Sequence, residues 1–183
     1  MPTINKPIVL PSGDSVELLE TSAMTGGDYV RSRIVFAAGG LRVPPHKHPL
    51  QDETLEVVSG RLTYFLNGKK HVAEAGTTVQ LPHGIGHRHH CEDTQAVVVI
   101  QTMKPGLDFD YLLENLFGLG SEGSLKGISF PLFLLVQLGK MKSAFVHAYI
   151  PIWFQKVVAK TVTPFAYLLG YRAVYKRFSG EEW

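Results

Sequence analysis

Glycine and proline punctuate the first hundred residues, and that punctuation restricts the fold more than any other feature. They break residues 1–104 roughly every 8–12 residues, the spacing of an all-β sandwich or barrel. The runs between the breaks suit strands. Tyr29 to Phe36 is rich in β-branched and aromatic residues, with Arg31 and Arg33 at alternating positions. Arg61 to Leu66 and Lys69 to Ala73 flank Asn67-Gly68. Asn-Gly between two such runs predicts a hairpin, because a type I′ turn needs positive φ at both central residues. Ala96 to Gln101 reads as a strand buried on both faces.

The pattern becomes helical after Pro105-Gly106. Asp108 is placed to cap a helix running to Phe117, with Leu112, Leu113 and Leu116 on one side. Ser129 and Pro131 look like a cap and a first-turn proline, with Gly139 as the stop. Pro151 opens a further helix carrying Trp153, Phe154, Val157 and Val158, which Pro164 should end or kink. The expected organisation is a β domain at 1–104 and a helical extension at 105–183. The extension packs on that domain or on a second subunit, and a homodimer is the expected assembly.

Composition excludes several classes. The chain has 183 residues and is 45% hydrophobic, enough to bury a real core. A net charge of +2 does not argue for nucleic acid as a partner. Cys91 stands alone, so a disulfide scaffold is ruled out, which fits a reducing, cytoplasmic setting. The apolar stretch near the N-terminus, Pro7 to Pro11, is too short for a signal-peptide core. No stretch reaches the ~20 apolar residues of a transmembrane helix.

Histidine carries the chemical signal, since seven of the eight lie between His46 and His90. His46 and His48 are two apart, so on an extended chain both point to one face. Glu53 follows a short bend and can bring a carboxylate to the same point. His87, in the stretch Pro82-His83-Gly84-Ile85-Gly86-His87-Arg88-His89-His90-Cys91, is the natural fourth ligand. Three imidazoles and one carboxylate suit one divalent first-row metal such as Fe, Mn, Ni, Cu or Zn.

Gly40, His46, His48, Glu53 and Gly60 resemble the first cupin motif at every spacing, and Gly76, Pro82, Gly84 and His87 resemble the second. Cys91 stands where that second motif has asparagine. The resemblance covers roughly residues 20–104. It implies a small antiparallel jelly-roll β-barrel with His46, His48, Glu53 and His87 as metal ligands. The fold class that follows is mainly β, a cupin barrel with an α-helical C-terminal extension.

Neighbouring residues admit two readings each. His89 alternates with His87 and is a candidate catalytic base, a proton relay or a fifth ligand; otherwise it is a core histidine bonded to backbone. Cys91 reads as a small buried apolar residue, and His83 as a solvated turn residue. Gln51 is near enough in sequence to orient Glu53, or simply belongs to a surface loop. Tyr29, Arg31 and Arg33 form either a solvated strand face or an anion-binding wall. One of Tyr64 and Phe65 should face the barrel.

Between Glu122 and Glu181 there are eight basic residues and no acidic one, interleaved with aromatics. The simpler expectation is a helical cap that buries its aromatics and leaves its lysines in solvent. The other is a basic amphipathic surface for peripheral membrane contact. Helices folded over a barrel mouth would give an apolar, covered pocket. The resemblance then implies a mononuclear metal-dependent enzyme of dioxygenase type acting on a small, partly apolar molecule. The alternatives are a non-redox isomerase or lyase, and a ligand-binding or sensing cupin without catalysis.

Overall fold

A computed structural model describes residues 1–183. The strands are β1 (Ile8–Val9), β2 (Ser15–Glu20), β3 (Val30–Phe36), β4 (His46–Lys47), β5 (Asp52–Ser59), β6 (Arg61–Leu66), β7 (Lys69–Glu74), β8 (Thr78–Leu81), β9 (His87–His90) and β10 (Val97–Lys104). Helices α1 (Phe109–Ser121) and α2 (Ser129–Lys140) follow, then a short strand β11 (Val146–His147), α3 (Ile152–Leu168) and α4 (Lys176–Ser179).

The strands pair antiparallel in two sheets. One has the order β1-β2-β3-β10-β5-β8 and the other β11-β4-β9-β6-β7. Together they form the jelly-roll barrel. Asn67 and Gly68 join β6 to β7 with φ of 49° and 81°, as a type I′ turn requires. Alternation sets what faces inward. On β5, Glu53, Leu55 and Val57 are buried while their neighbours are not. β10 alternates likewise, so its outer face is only half-buried and the expectation of burial on both faces is corrected. β10 lies mid-sheet between β3 and β5, but no layer fully covers its outer side.

Arg31 pairs with Glu56 at 3.3 Å and Arg33 with Glu17 at 3.9 Å, on the outer face of β3. Tyr29 donates its hydroxyl to Glu20 at 2.9 Å. The inward residues of β3 are Val30, Ser32, Ile34 and Phe36. Tyr64 packs on the core, whereas Phe65 stacks on His90 and lies under the Arg88 guanidinium.

Tertiary contacts reset several helix ends. Asp108 precedes α1 but does not cap it. Its carboxylate instead accepts the Lys142 and Ser143 backbone N–H groups at 3.0 and 2.8 Å, tying the end of α2 to the start of α1. α1 runs past Phe117 to Ser121, and α2 is preceded by Ile128, with Ser129 already in its first turn. Gly139 is not a stop. A Cβ there would meet Thr163 Oγ1 of α3 at 2.5 Å, so glycine serves the close approach of two helices. α3 continues through Pro164 to Leu168, because a proline one turn from the end removes a single backbone bond.

One core of 24 buried residues runs from Val16 of β2 through the barrel into Phe109, Val136, Ala166 and Val174 of the extension. A buried polar latch closes the far side. Glu114 of α1 accepts the Thr3 N–H at 2.7 Å and the Ser179 hydroxyl at 2.5 Å. Asn115 donates to Ser179 Oγ at 2.9 Å and accepts the Tyr175 N–H at 2.7 Å. Both chain ends are thus held to α1.

No helix is long and apolar enough to cross a membrane. The expected burial of the extension's aromatics is only partly met. Tyr167, Tyr171 and Tyr175 are half-buried, but Trp153, Phe154 and Phe165 of α3 are exposed.

Candidate metal centre and its cavity

The motif residues converge inside the barrel from opposite sheets. Glu53 comes from β5 of the larger sheet. His46 on β4 and His87 on β9 face each other as direct partners in the smaller one. His48 lies just after β4. All four are buried, and one donor atom from each lies within 4.8 Å of the others. The strand alternation that placed His46 and His48 on one face is what delivers both to this point.

Hydrogen bonding orients the donors. His46 Nδ1 bonds the Pro44 carbonyl at 2.9 Å, and His87 Nδ1 bonds the Ile85 carbonyl at 2.9 Å. Each ring therefore carries its proton on Nδ1 and turns a bare Nε2 inward. His87 Nε2 and Glu53 Oε2 are 3.1 Å apart, yet both are buried with no hydrogen-bond partner of good geometry. His48 Nε2 stands 3.6 Å from the same Oε2. Buried polar atoms left unpaired are costly, and a shared cation would satisfy them. These four residues fit one metal ion.

The charge state fits as well. Burial, aided by His48 and His87, holds His46 well below the ordinary imidazole range. Burial likewise pushes His48 down to about 4, although Glu53 pulls the other way. Burial pushes Glu53 up, but the adjacent His89 and His87 outweigh it and keep the carboxyl well below its usual range. For His87 burial pushes down, and the Glu53 carboxylate more than reverses it. The result is neutral His46 and His48 beside an ionised carboxylate, as metal binding needs, with His87 the one donor whose protonation a metal would have to displace.

Gln101 is the residue that sequence spacing does not reveal. It donates Nε2 to Glu53 Oε1 at 2.6 Å and accepts from Ser32 Oγ at 3.1 Å. Gln51 does not orient Glu53; it donates to the Pro105 and Gly106 carbonyls at 2.8 and 3.1 Å and anchors the end of β10. His89 stands outside the group of four. Its Nε2 is 3.3 Å from Glu53 Oε1, its Nδ1 is buried without a partner, and Phe36 packs against it edge-on. It makes no bond to backbone of the kind a purely structural histidine would. Cys91 is buried, with Sγ 3.1 Å from the Gln95 carbonyl. His83 pairs with Asp52 at the surface.

A cavity of about 450 Å³ lies against the donors. His46, His48, His89 and Gln101 form its polar end. Ile34 and Phe36 of the barrel, Leu112, Leu113 and Leu116 of α1, and Phe145 make its apolar walls. The helical extension therefore does fold over the barrel mouth.

Residues 32–103 match the cupin domain family model. A search of curated proteins returns no match. Among solved structures, KdgF from Halomonas sp. is 21% identical, with 57% of this chain and 93% of that one covered and a TM-score of 0.48. An RmlC-like cupin from Shewanella frigidimarina is 20% identical over 55% of this chain and 83% of its own, with a TM-score of 0.47. A cupin-like protein from Thermotoga maritima is 23% identical over 57% and 76%, with a TM-score of 0.47. The family match runs from within β3 into β10 and takes in all four donors and Gln101. Residues 32–103 thus match the cupin domain model, and helices follow the strands of that segment.

Proposed function

We propose that the protein is a mononuclear metal-dependent enzyme, of dioxygenase type, acting on a small and largely apolar organic molecule. One observation carries the reading: a buried three-histidine, one-carboxylate group presents two of its members, His46 and His48, to a mostly apolar cavity. His46, His48, Glu53 and His87 would hold one divalent first-row transition metal. Held there, such an ion would supply Lewis acidity or redox chemistry with O₂. The chain's own residues do the rest. The walls from α1 and Phe145 take up an apolar body and keep water from it. Gln101 and Ser32 hold the Glu53 carboxylate in one orientation. His89, which lines the cavity, would take a proton from the bound molecule.

Oxygen uptake tests this reading. Protein loaded with Fe(II) is mixed with small hydroxylated or enolisable apolar molecules. Substrate-dependent uptake that is lost in His87→Ala supports it. In His89→Gln, uptake should fall while bound metal is retained. Turnover without oxygen uptake would replace it with isomerase or lyase chemistry. Tight ligand retention without turnover would make the protein a binding module.

A further inference from the structure

Helix α3 bears an apolar stripe that the rest of the chain leaves largely uncovered. Viewed down the axis, Trp153, Phe154, Val157, Phe165 and Leu168 fall in one sector of about 120°. All five are exposed, Trp153 and Phe165 at 69% and Leu168 at 85%. The opposite side, Ala159, Thr163 and Ala166, is buried. Leu169 and Tyr149, just beyond the helix ends, are exposed as well and lengthen the stripe. The helix spans about 25 Å, and the stripe runs its length with Thr161 as the one exposed polar residue inside the sector.

Charge indicates what covers it. Lys156 and Lys160 are exposed between the stripe and the buried side, and neither has an acidic partner. Of the eight basic residues between Glu122 and Glu181, only Arg172 and Arg177 pair with a carboxylate. A second copy seated face to face on this stripe would bring four unpaired lysines together with no acidic residue from the helix to meet them. An anionic lipid surface meets both demands: headgroups for the lysines, and the acyl boundary for Trp153, Phe154 and Leu168.

We propose that the outer face of α3 docks the protein on an anionic lipid surface. A second feature gives docking a consequence. A groove of about 290 Å³ between α2 and α3 is lined by Leu134, Leu138, Ile150, Phe154 and, at its inner side, His46. Phe154 belongs to both the stripe and the groove, so a docked α3 sets an apolar passage beside a donor residue at the lipid boundary. Docking itself does not rest on the metal reading, and its test needs no activity.

The test is flotation of the full-length protein with vesicles of phosphatidylglycerol and phosphatidylcholine, compared with phosphatidylcholine alone. Co-flotation with the anionic vesicles should fall about tenfold at high salt, and about tenfold in Lys156→Glu with Lys160→Glu. Trp153→Ser with Phe165→Ser should abolish it. These side chains are exposed, so unchanged thermal unfolding confirms folded variants. In a Trp183→Phe background, Trp153 emission should shift to the blue on adding anionic vesicles. Absence of flotation overturns the proposal, as does flotation indifferent to these substitutions. So does a solution dimer that Trp153→Ser with Phe165→Ser converts to monomer, since the stripe would then be covered by a second copy.

Discussion

Gln101 donates its amide to Glu53 Oε1 at 2.6 Å, with both side chains buried. Ser32 donates to the other end of that amide at 3.1 Å, which fixes which atom faces the carboxylate. A chain of contacts thus crosses three neighbouring strands, β3, β10 and β5, and leaves Glu53 Oε2 toward His87 and His48. Removing a group that orients a ligand costs metal affinity about 10–100-fold. Gln101→Leu should show a loss of that size in competition with a chromophoric chelator, and Ser32→Ala a smaller one. Unchanged affinity in both would show that Glu53 does not need this support.

The metal-free protein should lose stability as the pH falls. In the unfolded chain His46 and His48 take up protons near the ordinary value of 6.5. Folded, both resist protonation, His48 down to about 4. Between those values the unfolded state binds more protons, so stability is full above pH 6.5 and declines toward pH 4. For His48 alone the shift corresponds to about 3 kcal/mol. Glu53 adds a further loss below its usual range. His87, with a raised value, acts the other way but is one group against three. Urea unfolding of metal-free protein should have a lower midpoint at pH 5 than at pH 7.5; an equal or higher one contradicts the buried-neutral state.

Gly40 opens the first motif for a reason of space. It has no positive φ, but a Cβ there would lie 2.5 Å from Asp14 Oδ2. Asp14 is buried and accepts the Ala37 and Leu41 N–H groups at 3.1 and 2.7 Å, which pins the turn leading to His46. Gly40→Ala should lower stability by about 1–3 kcal/mol through overpacking. Asp14→Ala, which leaves those backbone groups unpaired, should cost about as much. Equilibrium unfolding measures both, and no change in either would show that the turn tolerates its loss.

What the sequence reveals follows from how local each signal is. The Asn67-Gly68 hairpin and the His46/His48 pair are set by spacings of one or two residues, and both stand in the structure. Gln101 and Glu53 are 48 residues apart, and their contact depends on the β5–β10 register, which no local pattern encodes. Asp108 and Gly139 carry the residue types of a cap and a stop. Asp108 instead ties the end of α2, and Gly139 gives way to Thr163. Propensity marks such residues as unusual without saying which long-range contact needs them. Likewise Trp153, Phe154 and Phe165 show that α3 has an apolar face, but whether other elements cover it is a property of the whole fold.

Narrowing the cavity should separate ligand uptake from metal binding. Leu113 lines the apolar wall from α1 and is not among the donors. Leu113→Trp should leave metal stoichiometry unchanged and weaken an apolar fluorescent probe about tenfold, the scale of one lost apolar contact surface. Unaltered probe binding would place the ligand space elsewhere.

Metal content measured by mass spectrometry tests the metal assignment most directly. Purified protein, reconstituted with a first-row divalent metal and freed of excess, should carry about one ion per chain, as a single four-donor site requires. His46→Ala, His87→Ala and Glu53→Gln should each carry far less while remaining folded. A wild-type protein that retains no metal, or variants that retain as much as wild type, would show that His46, His48, Glu53 and His87 do not form a metal centre.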